Sequence, residues 1–282
     1  MSLITVEELA ARLAAPDAAA RIRVGDVRWY LGRPGAGRAA YEAGHIPGAV
    51  FVDLERDLTD PTGLGAPGRH PLPTPTAFRQ RLEELGVGSD DFVVAYDDAG
   101  GTVAARLWWM LDNLGHRGGA AVLDGGIQAW AAAGHELSTA PAAARTAQLE
   151  LGDEWTGVVE RHELAAPRGG LTLLDARAPE RYRGEIEPVD PAAGHIPGAL
   201  SAPTAANLDE AGRFLARDVL RARYETLARG RPVVAYCGSG VTACHNALAM
   251  RLAGLPDPIL YAGSYSDWTR SGMPVATGSE PG

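Results

Sequence analysis

Two stretches of the chain carry the same succession, a short apolar run followed by a segment of helical period. Phe92 to Tyr96 and Pro232 to Tyr236 are brief β-branched and aromatic runs, the length of a buried strand. Each is followed, after a loop of small and polar residues, by a segment of helical length and period, Val103 to Leu114 and Val241 to Leu252. Gly115 and Gly254 stand where helix C-caps are expected. Strand then helix, repeated, predicts an α/β protein with mostly parallel sheets flanked by helices.

The succession recurs because the chain is duplicated. The heptapeptide Ala-Gly-His-Ile-Pro-Gly-Ala begins at Ala43 and again at Ala193, 150 residues later, and Val-Val-Ala-Tyr begins at Val93 and again at Val233, 140 residues later. Gly25-Asp26-Val27-Arg28 resembles Leu174-Asp175-Ala176-Arg177, and Asp124-Gly125-Gly126 with Trp130 echoes Ala262-Gly263-Ser264 with Trp268. A period this long is a repeated domain and not a solenoid unit. The ten-residue difference in offset places extra sequence in the first copy, and the Pro- and Gly-dense segment Asp57 to Pro75 predicts a surface loop there. Ser138 to Gly157 has Pro141, small residues and no sustained period, and reads as a linker. The expected organisation is an N-terminal domain over 1–138, a linker over 139–156 and a C-terminal domain over 157–282.

Composition narrows the function. The length of 282 residues suits two compact domains. The formal charge of -9, with no Lys/Arg block to override it locally, opposes binding to nucleic acid. Met1 to Arg23 contains Glu7 and Glu8 and no apolar run that would make a signal or transit peptide, and no segment is long and apolar enough for a bilayer. No membrane partner and a cytoplasmic location are expected. Only two cysteines occur, Cys237 and Cys244, too few for a disulfide framework or a four-thiolate zinc site. Their spacing would put them about 10 Å apart along a helix, beyond disulfide reach.

Cys237 follows the second strand directly, in Cys237-Gly238-Ser239-Gly240-Val241-Thr242. The carboxyl end of a parallel strand is where α/β folds place ligands. Three small residues there let successive backbone N–H groups turn inward at a helix N-terminus and form an anion-binding nest. A thiolate at the start of that cradle would be stabilised by those donors. The position in the first copy is Asp97, in Asp97-Asp98-Ala99-Gly100-Gly101-Thr102, which argues against a dry core slot for Cys237. Cys244, within the helix beside Ala247, Leu248 and Leu252, reads as core.

The repeated His-Ile-Pro-Gly-Ala segments and the run Tyr236-Cys237-Gly238-Ser239-Gly240-Val241-Thr242-Ala243 resemble the tandem-domain rhodanese and 3-mercaptopyruvate sulfurtransferase family over nearly the whole chain. The resemblance implies two tandem rhodanese-like domains, an inert first and a catalytic second. It implies a persulfide on Cys237 cradled by Gly238, Gly240, Val241 and Thr242, and no metal or organic cofactor. By the same resemblance Arg181 holds the carboxylate or sulfonate of a small anionic donor, Trp29 forms an aromatic wall, and His70 meets Ser239 with Glu55, or else Asp53, behind it. Such a relay could protonate a departing pyruvate enolate. The family's second arginine is missing: Asp190, in Glu187-Pro188-Val189-Asp190, stands at its place. His45 and His195, being repeated, read as structural, and Arg183 reads as a helix-surface arginine with no partner.

The donor is 3-mercaptopyruvate or thiosulfate: selective thiosulfate enzymes of the family resemble one another in Arg and Lys just after the cysteine, whereas this chain has Gly238 and Ser239, which favours 3-mercaptopyruvate, and Asp190 pulls the other way. The implied acceptor is cyanide or a thiol such as thioredoxin or glutathione. Two other readings compete. Cysteine-dependent phosphatases and arsenate reductases require Cys-x5-Arg, but position 243 is Ala and the loop is one residue short. A catalytically weak binding module would have no need to retain Cys237 in a small-residue loop.

Overall fold

The computed structural model describes residues 1–60, 68–165 and 170–282. Two compact units emerge. The first holds residues 1–60 and 73–156 together with 210–214, and the second holds 157–209 and 215–282 together with residues 68–72 of the extra segment.

In the N-terminal unit the strands β1 (Leu3–Ile4), β2 (Ile22–Asp26), β3 (Val50–Phe51), β4 (Phe92–Tyr96) and β5 (Ala120–Leu123) form one sheet in the order β1-β5-β4-β2-β3, and every pairing is parallel. Parallel neighbours need crossovers, which are supplied by helices α1 (Val6–Ala14), α2 (Pro16–Ala19), α3 (Ala36–Ala43), α4 (Leu54–Asp57), α5 (Pro75–Glu84), α6 (Ala104–Asn113) and α7 (Gly126–Ala132). Helix α1 starts at a reciprocal capping box of Thr5 and Glu8. Its core joins Ile4, Leu9, Val24, Ile46, Val94, Tyr96, Leu123 and Trp130.

Among the described residues the C-terminal unit repeats the plan with one strand fewer. Strands β6 (Thr172–Asp175), β7 (Ala199–Ser201), β8 (Val233–Tyr236) and β9 (Ile259–Leu260) run parallel in the order β7-β6-β8-β9. Helices α8 (Arg161–Ala165), α9 (Pro179–Tyr182), α10 (Arg217–Ala228), α11 (Ala243–Leu252) and α12 (Ser264–Arg270) complete it. Both units are therefore α/β with parallel sheets flanked by helices. The central strands β4 and β8 are buried along nearly their whole length, which is why their sequences are continuous apolar runs and not alternating ones. Gly115 and Gly254 end α6 and α11 with φ of 69° and 70°, the left-handed turn that favours glycine.

The structure corrects two expectations. Helix α11 begins at Ala243, two residues beyond the start its period suggested, because Val241 and Thr242 complete the loop beneath Cys237. Of the Asp57 to Pro75 segment, read as a surface loop, residues 61–67 lie outside the described residues; the described part is not a surface loop, since Asp57, Thr59 and His70 are all buried. Polar chemistry explains the misreading. The Asp57 carboxylate accepts from the backbone of Asp53 and from the Arg56 guanidinium, and the Thr59 hydroxyl donates to the Leu54 carbonyl, so buried polar groups are satisfied locally.

The repeated motifs build the same brace twice. Arg28 and Arg177 each chelate the aspartate two residues earlier, Asp26 and Asp175, and reach the carbonyl of the heptapeptide glycine, Gly44 and Gly194. His45 and His195 stack on Tyr41 and Tyr182 at 3.9 and 3.8 Å between ring centres, with both ring nitrogens against backbone carbonyls. The repeated histidines are thus structural, as their repetition implied.

Candidate active site

Cys237 leaves β8 at its carboxyl end and is 2% exposed. Its loop is held open by the first turn of α12: the N–H groups of Tyr265 and Ser266 donate to the carbonyls of Cys237 and Gly238, each at 3.0 Å. With carbonyls turned outward, the following N–H groups face in. Gly240 is required at its place, with φ of 79° and a Cβ position that would collide with the Ala262 carbonyl. The Cys237 N–H is taken by the Ser264 hydroxyl at 3.1 Å, and Ser264 itself sits at φ 55°, where the first copy has Gly126 at 58°.

The N-terminal unit shows what such a loop binds. There Asp97 occupies the cysteine's place, and its carboxylate accepts four backbone hydrogen bonds, from Ala99, Gly101, Val103 and Ala104, at 2.8 to 2.9 Å. Burial pushes the Asp97 carboxyl above its ordinary range, and those four donors pull it back. The first-copy nest is filled by an anion of its own chain. At the 140-residue offset the donors of Ala99 and Gly101 correspond to those of Ser239 and Val241, which find no acceptor among the described residues.

Two groups of side chains face the Cys237 loop within the C-terminal unit. His70, 6% exposed, brings Nδ1 to 2.7 Å from the Ser239 hydroxyl oxygen, across 169 residues of sequence. Its neighbour Arg69 is anchored through its backbone N–H to the Ser266 hydroxyl and through its guanidinium to Asp190. Arg181 donates through Nη2 to Glu187 at 2.6 Å and to Asp190 at 3.3 Å. Arg177 joins the network through Glu187 and lies over the Tyr265 ring at 3.7 Å. Burial alone would push Glu187 up, but Arg181 and the N–H groups of Asp190 and Val189 hold it below the usual carboxylate range. Both guanidiniums crowd Gly238: a methyl on that residue would stand 2.8 Å from Arg69 Nη2 and 3.6 Å from Arg181 Nη1. The mouth of the loop is therefore a cationic pair steadied by buried carboxylates, beside a cysteine with a hydroxyl–imidazole pair two residues on.

A rhodanese-like domain matches twice, over residues 5–133 and 160–271. A probable 3-mercaptopyruvate sulfurtransferase of Pseudomonas aeruginosa is 50% identical over 98% of both chains. A putative thiosulfate sulfurtransferase of Mycobacterium tuberculosis is 41% identical over 95% of this chain and 93% of its own. Among solved structures, 3-mercaptopyruvate sulfurtransferase from Leishmania major superposes with a TM-score of 0.83 at 29% identity, covering 95% of this chain and 74% of that one. The chain belongs to the rhodanese family of sulfurtransferases.

In this rhodanese the other candidate residues fall as follows. Val241 is buried and Thr242 half-buried, and they close the loop ahead of α11. Cys244 is fully buried, with Sγ 3.5 Å from the Gly240 carbonyl oxygen, and is a core residue. Arg183 lies at the surface as expected but has a partner after all, its guanidinium donating to Glu185 two residues on. Trp29 and Glu55 lie in the N-terminal unit and meet each other, the indole N–H donating to Glu55 at 3.2 Å, while Asp53 caps α4. Among the described residues no group of three or more His, Cys, Asp or Glu side chains is arranged to hold a metal ion, and no helix is long and apolar enough to cross a membrane. Sequence reasoning missed three residues of the site. Ser264 was quoted only as part of a repeat echo, Arg69 was hidden beside His70, and Glu187 was read only as filler where an arginine was sought.

Proposed function

We propose that this rhodanese-family sulfurtransferase takes its sulfur from 3-mercaptopyruvate in preference to thiosulfate, carries it as a persulfide on Cys237, and passes it to a thiol. In the first half-reaction the Cys237 thiolate attacks the donor's sulfur. An S–S bond forms, the C–S bond breaks, and its electron pair becomes the enolate of pyruvate. The thiol proton of the transferred sulfur moves to the enolate carbon by way of Ser239, leaving Cys237 as the anionic persulfide and releasing pyruvate. In the second, an acceptor thiolate takes the outer sulfur and returns Cys237 as a thiolate. The backbone N–H groups of the loop receive the negative charge in both directions, the role of an oxyanion hole.

The observation that carries the donor preference is the 2.7 Å contact between His70 Nδ1 and Ser239 Oγ. A carbon leaving group must be protonated and sulfite need not be, so a hydroxyl–imidazole pair at this place serves mercaptopyruvate alone. The uncharged Gly238 and Ser239 agree, since sulfite departs with two negative charges and nothing on those two residues balances them. Glu55, which accepts from the Trp29 indole N–H, is proposed as the carboxylate that orients His70, with Asp53 as its reserve, and Trp29 as the aromatic wall for the donor. Thioredoxin, glutathione and cyanide are the acceptors that suit a small, shielded persulfide. The test is kcat/KM for both donors with one thiol acceptor. A ratio in favour of mercaptopyruvate supports the reading, and a ratio in favour of thiosulfate overturns it.

A further inference from the structure

The sequence leaves the donor's carboxylate with one arginine, Arg181, because Asp190 stands where a second would come. The structure assigns the missing role to Asp190's partner: we propose that Arg69 is the second donor-binding arginine, and that Arg69 and Arg181 together take one carboxylate above Gly238. This deepens the proposed function and rests on its reading that the donor is a small carboxylate.

Three features of the guanidiniums carry the inference. First, both converge on one point from different segments: Arg69 Nη2 lies 2.8 Å and Arg181 Nη1 3.6 Å from where a Gly238 Cβ would be, directly after Cys237. Second, their bonds are spent on the far side. Arg69 uses Nη1 on Asp190, and Arg181 uses Nε on Glu187 and Nη2 on Glu187 and Asp190. Arg69 Nη2 and Arg181 Nη1, the two atoms nearest Gly238, donate to no described residue. Third, the Arg69 Nε is buried with no hydrogen-bond partner among the described residues, although its side chain is 15% exposed and could have turned outward. Burying a cation in this way is costly without a reason, and a visiting anion supplies one.

Asp190 then has a positive function. Its carboxylate, fully buried, draws both guanidiniums together and fixes their outward nitrogens as a two-pronged donor set. A carboxylate accepting one N–H from each would have its carbon chain directed over Gly238 towards Cys237. The crowding also explains why position 238 is glycine: any side chain there would displace the Arg69 fork.

The test compares two alkylating agents of the same chemistry that differ only in a carboxylate, iodoacetate and iodoacetamide, by their rates at Cys237 read from peptide mass mapping. Arg69→Ala should lower the iodoacetate rate about 10-fold or more and leave the iodoacetamide rate within about 2-fold, with Arg69→Lys in between. Arg181→Ala should do the same. The 3-mercaptopyruvate kcat/KM should fall about 10- to 100-fold in Arg69→Ala. Equal loss with both alkylating agents would mean that Arg69 only holds the loop that bears His70, and would overturn the inference, as would an unchanged ratio. A shifted alkylation ratio in a protein that never turns over mercaptopyruvate would leave the arginine pair standing as a carboxylate site and overturn the proposed function instead.

Discussion

The loops after β4 and β8 have the same parentage and opposite fates. After β4 the inward N–H groups close on Asp97, a carboxylate that the chain carries itself, and four short bonds leave the nest with nothing further to do. After β8 the same place holds Cys237, and the loop mouth gains the Arg69 and Arg181 pair and the Ser239–His70 pair. On the proposed function, the backbone nest frames the chemistry and does not suffice for it. In the proposed function, what separates the first loop from the second is that its anion is fixed in the chain, and that side chains from other segments bring a substrate only to the second.

The comparison breaks most severely at the thiol. Cys237→Ser should lower sulfur transfer by at least about 10³-fold, since a hydroxyl cannot carry sulfane sulfur, whereas Cys244→Ser should stay within a few-fold of wild type because that thiol only fills core space. Adding Asp97→Cys to the Cys237→Ser protein sharpens the point. It places a thiol in the first nest without the arginine pair, and transfer should remain at the Cys237→Ser level; recovery would show that the nest alone suffices.

Asp97→Ala should be the largest structural effect, lowering unfolding free energy by about 3 kcal/mol in denaturant titration, because it strands four N–H groups in a buried loop. The residual activity of the folded protein should be little changed. Next in size, Ser239→Ala or His70→Ala should reduce kcat for mercaptopyruvate about 10- to 100-fold and thiosulfate turnover by less than about 3-fold, the split expected of a proton relay. Equal losses on both donors would make the pair a scaffold.

The smallest effect concerns the carboxylates behind the arginines. Glu187 titrates below its usual 4.5 in the folded protein, so its charge stabilises the fold above that pH, and the contribution is lost as pH falls through the depressed value. Glu187→Gln should therefore be less stable than wild type at neutral pH by about 1 kcal/mol, with the gap closing as the pH drops below 4.5.

Much of this was legible in the sequence because the duplication supplied an internal control. The two Val-Val-Ala-Tyr runs mark β4 and β8, and the presence of Asp97 at the place of Cys237 distinguishes the two loops in the sequence alone. His70 and Ser239 were paired by resemblance, and the geometry brings them together. Arg69 escaped because a charge partner 121 residues away leaves no trace in spacing: the search for a second arginine ended at Asp190, which is where its partner attaches. The extra segment misled for a related reason. Its described residues 58–60 and 68–74 lie outside helix and strand, as the Pro and Gly content signals, but composition says nothing of burial, and His70 is buried because it has a hydroxyl to meet. Ser264 was invisible as a functional residue because a left-handed serine reads as a mere departure from the glycine of the first copy.

The central claim is that Cys237, and no other residue, holds sulfur between donor and acceptor. Intact-mass measurement after incubation with 3-mercaptopyruvate tests it directly, followed by peptide mapping and by addition of a thiol acceptor. The account predicts a gain of one sulfur atom in wild type and Cys244→Ser, located at Cys237, absent from Cys237→Ser, and removed by the acceptor. A sulfur adduct that persists in Cys237→Ser, or pyruvate release from wild type with no adduct at Cys237, would contradict it.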